Sequence, residues 1–580
     1  MDELASLAHR SLDSMFNSDI AAFWSALPRL LHKRGDRDPN LEEKLKSVID
    51  TTCNRMHRFR YKGLAQTSLG IAKTVNQVSR GNRRYREDDP RQILQGLLLS
   101  ESQHLLLFDS IASSAVRMIK TFDARSLSNL IYSYGLVKHN PNPDIGGKTL
   151  FGTFGQAAVK ILHTFNPQEL SNMLLAFVYV DAKNPRLFQE TGGVITKMDL
   201  REFTEQELAN VLWTFAKSYE ADPDLFQSIG NHIVGRSLDD FWPQALSNIV
   251  WSYVTAGVSH PELFKKIGDH VAGLGSLNSF TPQALSNIVW AFATAGVLHP
   301  ELFQKIGDHL AGLDNLYSFN PHELSNTAWA FATARWFDRR LFETLVTEAA
   351  VRKDDFDRTQ HIANFLWACA TVGYTDELLF SDFAPVIASK LDKCTKQDLA
   401  NIAWAYSVAN FPRQELFNQG FIGACESKEK WFSEENLSQL HQWQLWQQEL
   451  ESGIELPQSL QEQCRNAFIS TSYSKSILQN DVVRELEAAG FDLAVEVLLG
   501  SGYRIDALVE VADGRKVAVE VDGPTHSIQR LPTGSTALKH RQVEGLDGIE
   551  VVSVPYWEWD ELKTSEMKQH YLHKKLGETV

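Results

Sequence analysis

The sequence has little cysteine, no long apolar run and no excess of positive charge. Its five cysteines (Cys53, Cys369, Cys394, Cys425 and Cys464) are scattered, with no CxxC pair and no histidine at metal-ligand spacing. That argues against a disulfide framework or a structural zinc site and makes a reducing compartment the default. No stretch reaches the roughly 18 to 20 apolar residues of a membrane span, so no membrane partner is expected. The formal net charge of −15 argues against coating nucleic acid by bulk charge, while leaving room for a local basic groove. The N-terminus carries Asp2, Glu3, Asp13 and Asp19, too acidic for a good transit peptide, and has no secretory core. A cytosolic or nuclear protein, or one whose presequence has been removed, is the expectation from these residues.

What the sequence does have is a repeat. At 580 residues it is too long for one compact core. A Leu-(Ser/Ala)-Asn triplet, with Ile362 once at the first place, recurs at Asn129, Asn172, Asn210, Asn248, Asn287, Asn326, Asn364 and Asn401, at spacings of 43, 38, 38, 39, 39, 38 and 37. A decayed copy follows at Leu437-Ser438-Gln439. A fixed period of this size marks stacked supersecondary units.

Each unit carries its own helix punctuation. In Phe280-Thr281-Pro282-Gln283-Ala284-Leu285, Thr281 suits an N-cap, Pro282 the first helical position, and Phe280 with Leu285 a hydrophobic staple. Asn166 with Glu169, Thr204 with Glu207, and Asn320 with Glu323 are spaced as capping boxes. The helix ends at Gly296, and a second begins at His299-Pro300-Glu301. The fold expected is an all-α right-handed solenoid of helix-turn-helix repeats of about 38 residues, followed by a small α/β domain. Its parts are residues 1–90, helical with a basic cluster; 91–450, eight to nine repeats; 451–480, a connector; and 481–580, the α/β domain.

The first helix of each unit is apolar almost all round, which places it between neighbours. Trp213, Trp251, Trp290, Trp329, Trp367 and Trp404 are accordingly expected in the inter-repeat core, with stacking on a base as the alternative. The asparagines need hydrogen-bond partners. They form either a structural ladder or a row of ligand contacts along the concave face. A residue that recurs in every unit cannot encode sequence. The positions seven later, Lys217, Thr255, Thr294, Thr333 and Thr371, and the variable Tyr219 and Arg335, are candidates to read a ligand. In the N-terminal region Arg55, Arg58, Arg60, Lys62, Arg80, Arg83, Arg84 and Arg86 interleave with Phe59, Tyr61 and Tyr85, a mixture suited to phosphate and base contact or to a solvated face.

Beyond residue 481 the pattern turns to strand-like runs at 491–499, 503–511, 516–521 and 550–554, with helices near 482–489 and 535–544. Asp506 lies in the second run; Glu520 and Asp522 lie in the third. An Asp on one strand and Glu-x-Lys on the next is how the PD-(D/E)xK nuclease fold holds Mg²⁺ or Mn²⁺ and activates water. Here Asp522 stands where the Lys would be, and Lys539 or Arg541 is left as a substitute. Asp506 and Glu520 would be the metal ligands if the site is active; otherwise no cofactor is expected.

The repeat unit resembles the octotricopeptide repeat of organelle RNA-binding proteins, and the related heptatricopeptide repeat. The stretch Val517–His526, continued by Val552–Trp559, looks like the RAP domain that ends many such proteins and those of the FAST kinase-like family. The resemblance implies a mitochondrial or chloroplast protein whose partner is single-stranded RNA, an organelle mRNA or rRNA. It implies a role in transcript stabilisation, processing, rRNA maturation or translation, with ribosomal or other RNA-processing proteins as further partners. A repeat-guided endonuclease and a structural or ribosome-associated scaffold are the alternatives.

Overall fold

The computed structural model describes residues 1–12, 14–31, 40–79, 89–141, 149–470 and 476–577. It divides into two compact units, Met1–Ile267 and Gly268–Val580.

In the first unit the helices Ala124–Val137, Pro167–Tyr179, Glu205–Lys217 and Pro243–Ala256 pack side by side in chain order. Asn17–Leu30 and Tyr61–Ser79 extend the same row toward the N-terminus, although their sequence shows neither the asparagine nor the half-exposed tryptophan of the later units. Trp24 is instead fully buried and donates to Thr52 Oγ1 at 2.9 Å. Neighbouring helices approach closely: a Cβ on Gly135 would lie 2.6 Å from Ala176 Cα.

In the second unit Pro282–Thr294, Pro321–Thr333, Thr359–Thr371, Lys396–Ala409 and Glu434–Glu449 form a row. The second helices Pro300–Ala311, Arg339–Val351 and Glu377–Ala388 form another. The caps read from sequence are formed. Asn166 and Glu169, Thr204 and Glu207, and Asn320 and Glu323 exchange side-chain-to-backbone hydrogen bonds in both directions. Thr281 Oγ1 accepts from the Ala284 N–H at 3.2 Å. Phe280 and Leu285 are both buried.

The C-terminal domain also belongs to the second unit. Strands β1 (Asp492–Leu498), β2 (Arg504–Glu510) and β3 (Lys516–Asp522) pair antiparallel. The short strands β4 (Ser527–Ile528) and β5 (Leu531–Pro532) make a separate hairpin. Helix Gly534–Gln542 leads to β6 (Glu550–Pro555), which lies parallel to β3 and gives the order β1-β2-β3-β6. Helices Ile477–Ala488 and Ser565–Lys575 supply Val482, Leu486 and Leu572 to one core cluster. A second cluster joins Tyr503, Ile505, Ala518 and Val543 to Leu445 of the last solenoid helix.

That docking is tight and specific. A Cβ on Gly534 would run into the backbone carbonyl of Ala370. Arg541 donates to the carbonyls of Ser407 at 2.6 Å and Val408 at 3.3 Å, and pairs with Glu449. Tyr503 Oη donates to Gln542 and accepts from Gln442 Nε2, both at 2.8 Å. No described helix is long and apolar enough to cross a membrane.

Candidate functional site

The first helix of a repeat is buried on nearly every side, and the gap in that burial is where the chemistry lies. Counting from the repeat asparagine, the positions four before, zero, three after and seven after fall within about 60° of one another at 100° per residue. In the second unit this stripe is Gln283, Asn287, Trp290 and Thr294 on one helix. On the next it is His322, Asn326, Trp329 and Thr333, then Gln360, Asn364, Trp367 and Thr371. In the first unit it is Gln206, Asn210, Trp213 and Lys217, then Gln244, Asn248, Trp251 and Thr255. The glutamines and His322 are exposed, and the asparagines and these tryptophans are half-buried.

Of the six tryptophans expected in the inter-repeat core, five are half-buried at its margin. Trp404 alone of the six is buried. Buried side chains at one, two and five after the asparagine, such as Ile288, Val289 and Phe292, fill the interface, and the position three after lies at its edge. An indole spaced three from an amide and four from a hydroxyl was the signal available in the sequence. Trp367 and Trp404 rings lie 6.2 Å apart, as do those of Tyr179 and Trp213.

The asparagines divide in role. Asn210 Nδ2 donates to Ser171 Oγ of the preceding unit at 3.4 Å, and Gln439 Nε2 donates to Asn401 Oδ1 at 3.1 Å. Asn326 Nδ2 meets His322 Nε2 on its own helix at 3.2 Å. Asn248, Asn287 and Asn364 make no side-chain hydrogen bond to a described residue. Among the positions seven later, Lys217 is exposed, Thr255 half-buried, and Thr294 bonded back to the Trp290 carbonyl at 2.8 Å. The hydroxyls of Thr333 and Thr371 are enclosed without a partner among the described residues.

Of the N-terminal basic cluster, Arg80, Arg83, Arg84, Tyr85 and Arg86 lie outside the described residues. Arg58 and Arg60 are exposed. Arg55 is a structural clamp, donating to the carbonyls of Met15 at 2.6 Å and Leu12 at 3.1 Å. Phe59 is core.

In the C-terminal domain the antiparallel β2–β3 pair brings Asp506 beside Glu520, and helix Gly534–Gln542 sets Lys539 Nζ 2.6 Å from Glu520 Oε2. Asp506 Oδ2 accepts from the Val521 N–H at 2.8 Å. Asp522 points elsewhere, meeting His526 Nδ1 at 3.0 Å and the Ser553 hydroxyl. Burial pushes Glu520 up to about 7, countered in part by Lys539 and helped by Asp506. Burial likewise raises Asp506. Burial would raise Asp522 too, but the hydrogen bonds from His526 and Ser553 bring it below the ordinary carboxyl range. Glu520 Oε1 is enclosed with no partner among the described residues.

These residues do not fit a divalent ion as they are arranged. One oxygen of each carboxylate is engaged, by Lys539 or by a backbone N–H, and no group of three or more His, Cys, Asp or Glu side chains among the described residues could hold a metal. A hard cation needs several free oxygen ligands.

Comparison with known proteins adds two family matches. Residues 142–377 match the model of the RNA-editing substrate-binding complex 6 protein, and residues 519–575 match the RAP domain. A curated relative, "RAP domain-containing protein, chloroplastic" of Oryza sativa subsp. japonica, is 26% identical over 267 residues. That match covers 38% of this chain and 41% of the relative. Among solved structures, a homology model of the full-length AP-3 complex in an intermediate open conformation matches at 13% identity and a TM-score of 0.28, over 80% of this chain and 88% of that one. A score that low bears no weight on the fold. The matched motif from Val519 onward and the α-helical array before it together make this chain a helical-repeat protein that ends in a RAP domain.

Proposed function

We propose that the helical array binds single-stranded RNA along the amide–indole–hydroxyl stripe, and that the protein serves organelle RNA as a binding factor in stabilisation, processing, rRNA maturation or translation. One observation carries this reading: five first helices leave Gln or His exposed and Asn and Trp half-buried at the same place. Amides and hydroxyls pair with base edges, indoles stack on base faces, and a stripe with little charge suits bases rather than phosphates. Phosphate contact falls to cationic side chains, Lys217 on the stripe and Arg58 and Arg60 in the N-terminal region among them.

The RAP domain, the match to an RNA-editing complex family and the chloroplastic relative support an RNA-associated role in a mitochondrion or plastid. RNA-processing or ribosomal proteins are the further partners this reading implies. The C-terminal domain, with Glu520 closed against Lys539, is assigned to holding the end of the array rather than to cutting.

The test is equilibrium binding of single-stranded RNA fragments at low salt. Binding that weakens as salt rises is expected. Absence of binding, or equal competition by double-stranded DNA, sinks the proposal.

A further inference from the structure

Every first helix from Ala124–Val137 to Lys396–Ala409 closes on a residue in the left-handed region, nine places after the asparagine, with φ between 52° and 72°. The next residue's N–H then reaches back to a carbonyl of the last turn, as Ala182 does to Phe177 and Trp336 to Phe331, both at 2.9 Å. This is the helix-ending motif for which glycine is the unstrained choice. Three units use it, at Gly257, Gly296 and Gly373. The other five carry Lys138, Asp181, Tyr219, Arg335 and Asn410, of which only Asp and Asn tolerate this conformation well.

Asn410 has a structural reason, since its Oδ1 accepts from Trp446 Nε1 at 2.8 Å. The other four are exposed and make no side-chain hydrogen bond or ion pair with a described residue. They are an ammonium, a carboxylate, a phenol and a guanidinium, on one fixed backbone geometry. Nothing in the fold calls for that variety.

At Asp181 and Tyr219 the position borders the stripe. Tyr179, two residues before Asp181, lies 6.2 Å from the Trp213 ring. Asp181, Lys217 and Tyr219 line a single open groove between the ends of Pro167–Tyr179 and Glu205–Lys217.

Resting on the RNA-binding reading above, we infer that this left-handed helix-end residue selects the base in the repeats where it carries a free charged side chain, Asp181 and Arg335 among them. The asparagine and tryptophan are nearly constant and hold a base without naming it; the residue nine after the asparagine is glycine in three units and varies in the others, where it can name it. Arg335 takes guanine through its O6 and N7 acceptors, and Asp181 takes a base that offers an amino group, as cytosine does. Tyr219 stacks without strong choice. The glycine units accept any base.

The experiment is selection from a randomised single-stranded RNA pool by the full chain, sequenced alongside Arg335→Gly and Asp181→Gly. Glycine is native at this place in three other units, so both variants keep the fold, and their melting temperatures are expected at or above wild type. Each variant is expected to lose the base preference at one position of the selected motif and about 10-fold in affinity for the wild-type motif, with the other positions unchanged. Identical motifs from wild type and both variants overturn the inference and leave RNA binding standing. No enrichment by wild type overturns both.

Discussion

Lys539 Nζ rests 2.6 Å from Glu520 Oε2, joining the helix after the β4–β5 hairpin to the centre of the sheet. The ammonium only partly offsets the burial that lifts Glu520 to about 7. A carboxyl that titrates higher folded than unfolded holds its proton more tightly when folded. Its stabilising share is full below about pH 4.5 and is lost as pH climbs through about 7. Between pH 4.5 and 8 wild type should lose about 3 kcal/mol relative to Glu520→Gln, which keeps the shape and does not titrate. Thermal melts of both proteins at pH 5 and pH 8 measure this, and a gap that stays constant with pH refutes it.

The two kinds of asparagine should separate under mutation. Asn401→Ala removes the acceptor of the buried Gln439 amide and is expected to cost about 1–2 kcal/mol of stability. Asn287→Ala removes a half-buried amide with no described partner and should leave stability within about 0.5 kcal/mol while weakening RNA binding. Denaturation curves and binding isotherms on the two variants decide it; equal stability losses would make every asparagine a rung of one ladder.

Trp290→Leu and Trp329→Leu should each weaken single-stranded RNA by about 10-fold, the scale of one lost base stack. Both indoles are half-exposed, so the melting temperature should move little. Quenching of tryptophan fluorescence on RNA addition gives a second measure. A large drop in melting temperature with unchanged affinity would return these residues to the core.

Arg541→Ala strips hydrogen bonds from the carbonyls of Ser407 and Val408 and leaves Glu449 without its partner. The loss expected is about 1–3 kcal/mol. Hydrogen exchange should show it as faster opening in β1–β6 and in the helix ends near Ala370 and Val408. No change in exchange at those helix ends would mean that the contact adds nothing to docking.

RNA bound to the full chain should stay intact in Mg²⁺ or Mn²⁺. Cleavage that disappears in Asp506→Ala and Glu520→Ala would reassign the cluster from a buried ion pair to a working site.

Local sequence carried the parts of this fold that local physics decides. The capping boxes at Asn166, Thr204 and Asn320 and the Phe280–Leu285 staple lie within a few residues of one another, so spacing alone reveals them. The strand read at 516–521 ends one residue later, at Asp522, for the same reason: alternation of valines is a local signal. Hydrophobicity alone weighs an indole the same in a core and at its margin, so the face of the tryptophans could be read only from their spacing to the amide and hydroxyl positions. The proximity of Gly534 to Ala370 was not legible, since no periodicity links residues so far apart in the chain. Lys539 could be named as a substitute cation, but only the parallel β3–β6 crossover sets it against Glu520. Asn17–Leu30 and Tyr61–Ser79 show little repeat in sequence because they keep the packing of the row without the residues of the stripe.

The core that joins Leu445 to Ile505, Ala518 and Val543 has a consequence for how this architecture can be cut and rejoined. The portable piece does not begin at β1. An excised sheet would expose the apolar side it shares with Glu434–Glu449, and an array truncated after that helix would expose the other half of the same surface. Recombination between such proteins, natural or engineered, has to carry the last solenoid helices along with the sheet, so the end of the array and the domain that closes it are inherited together.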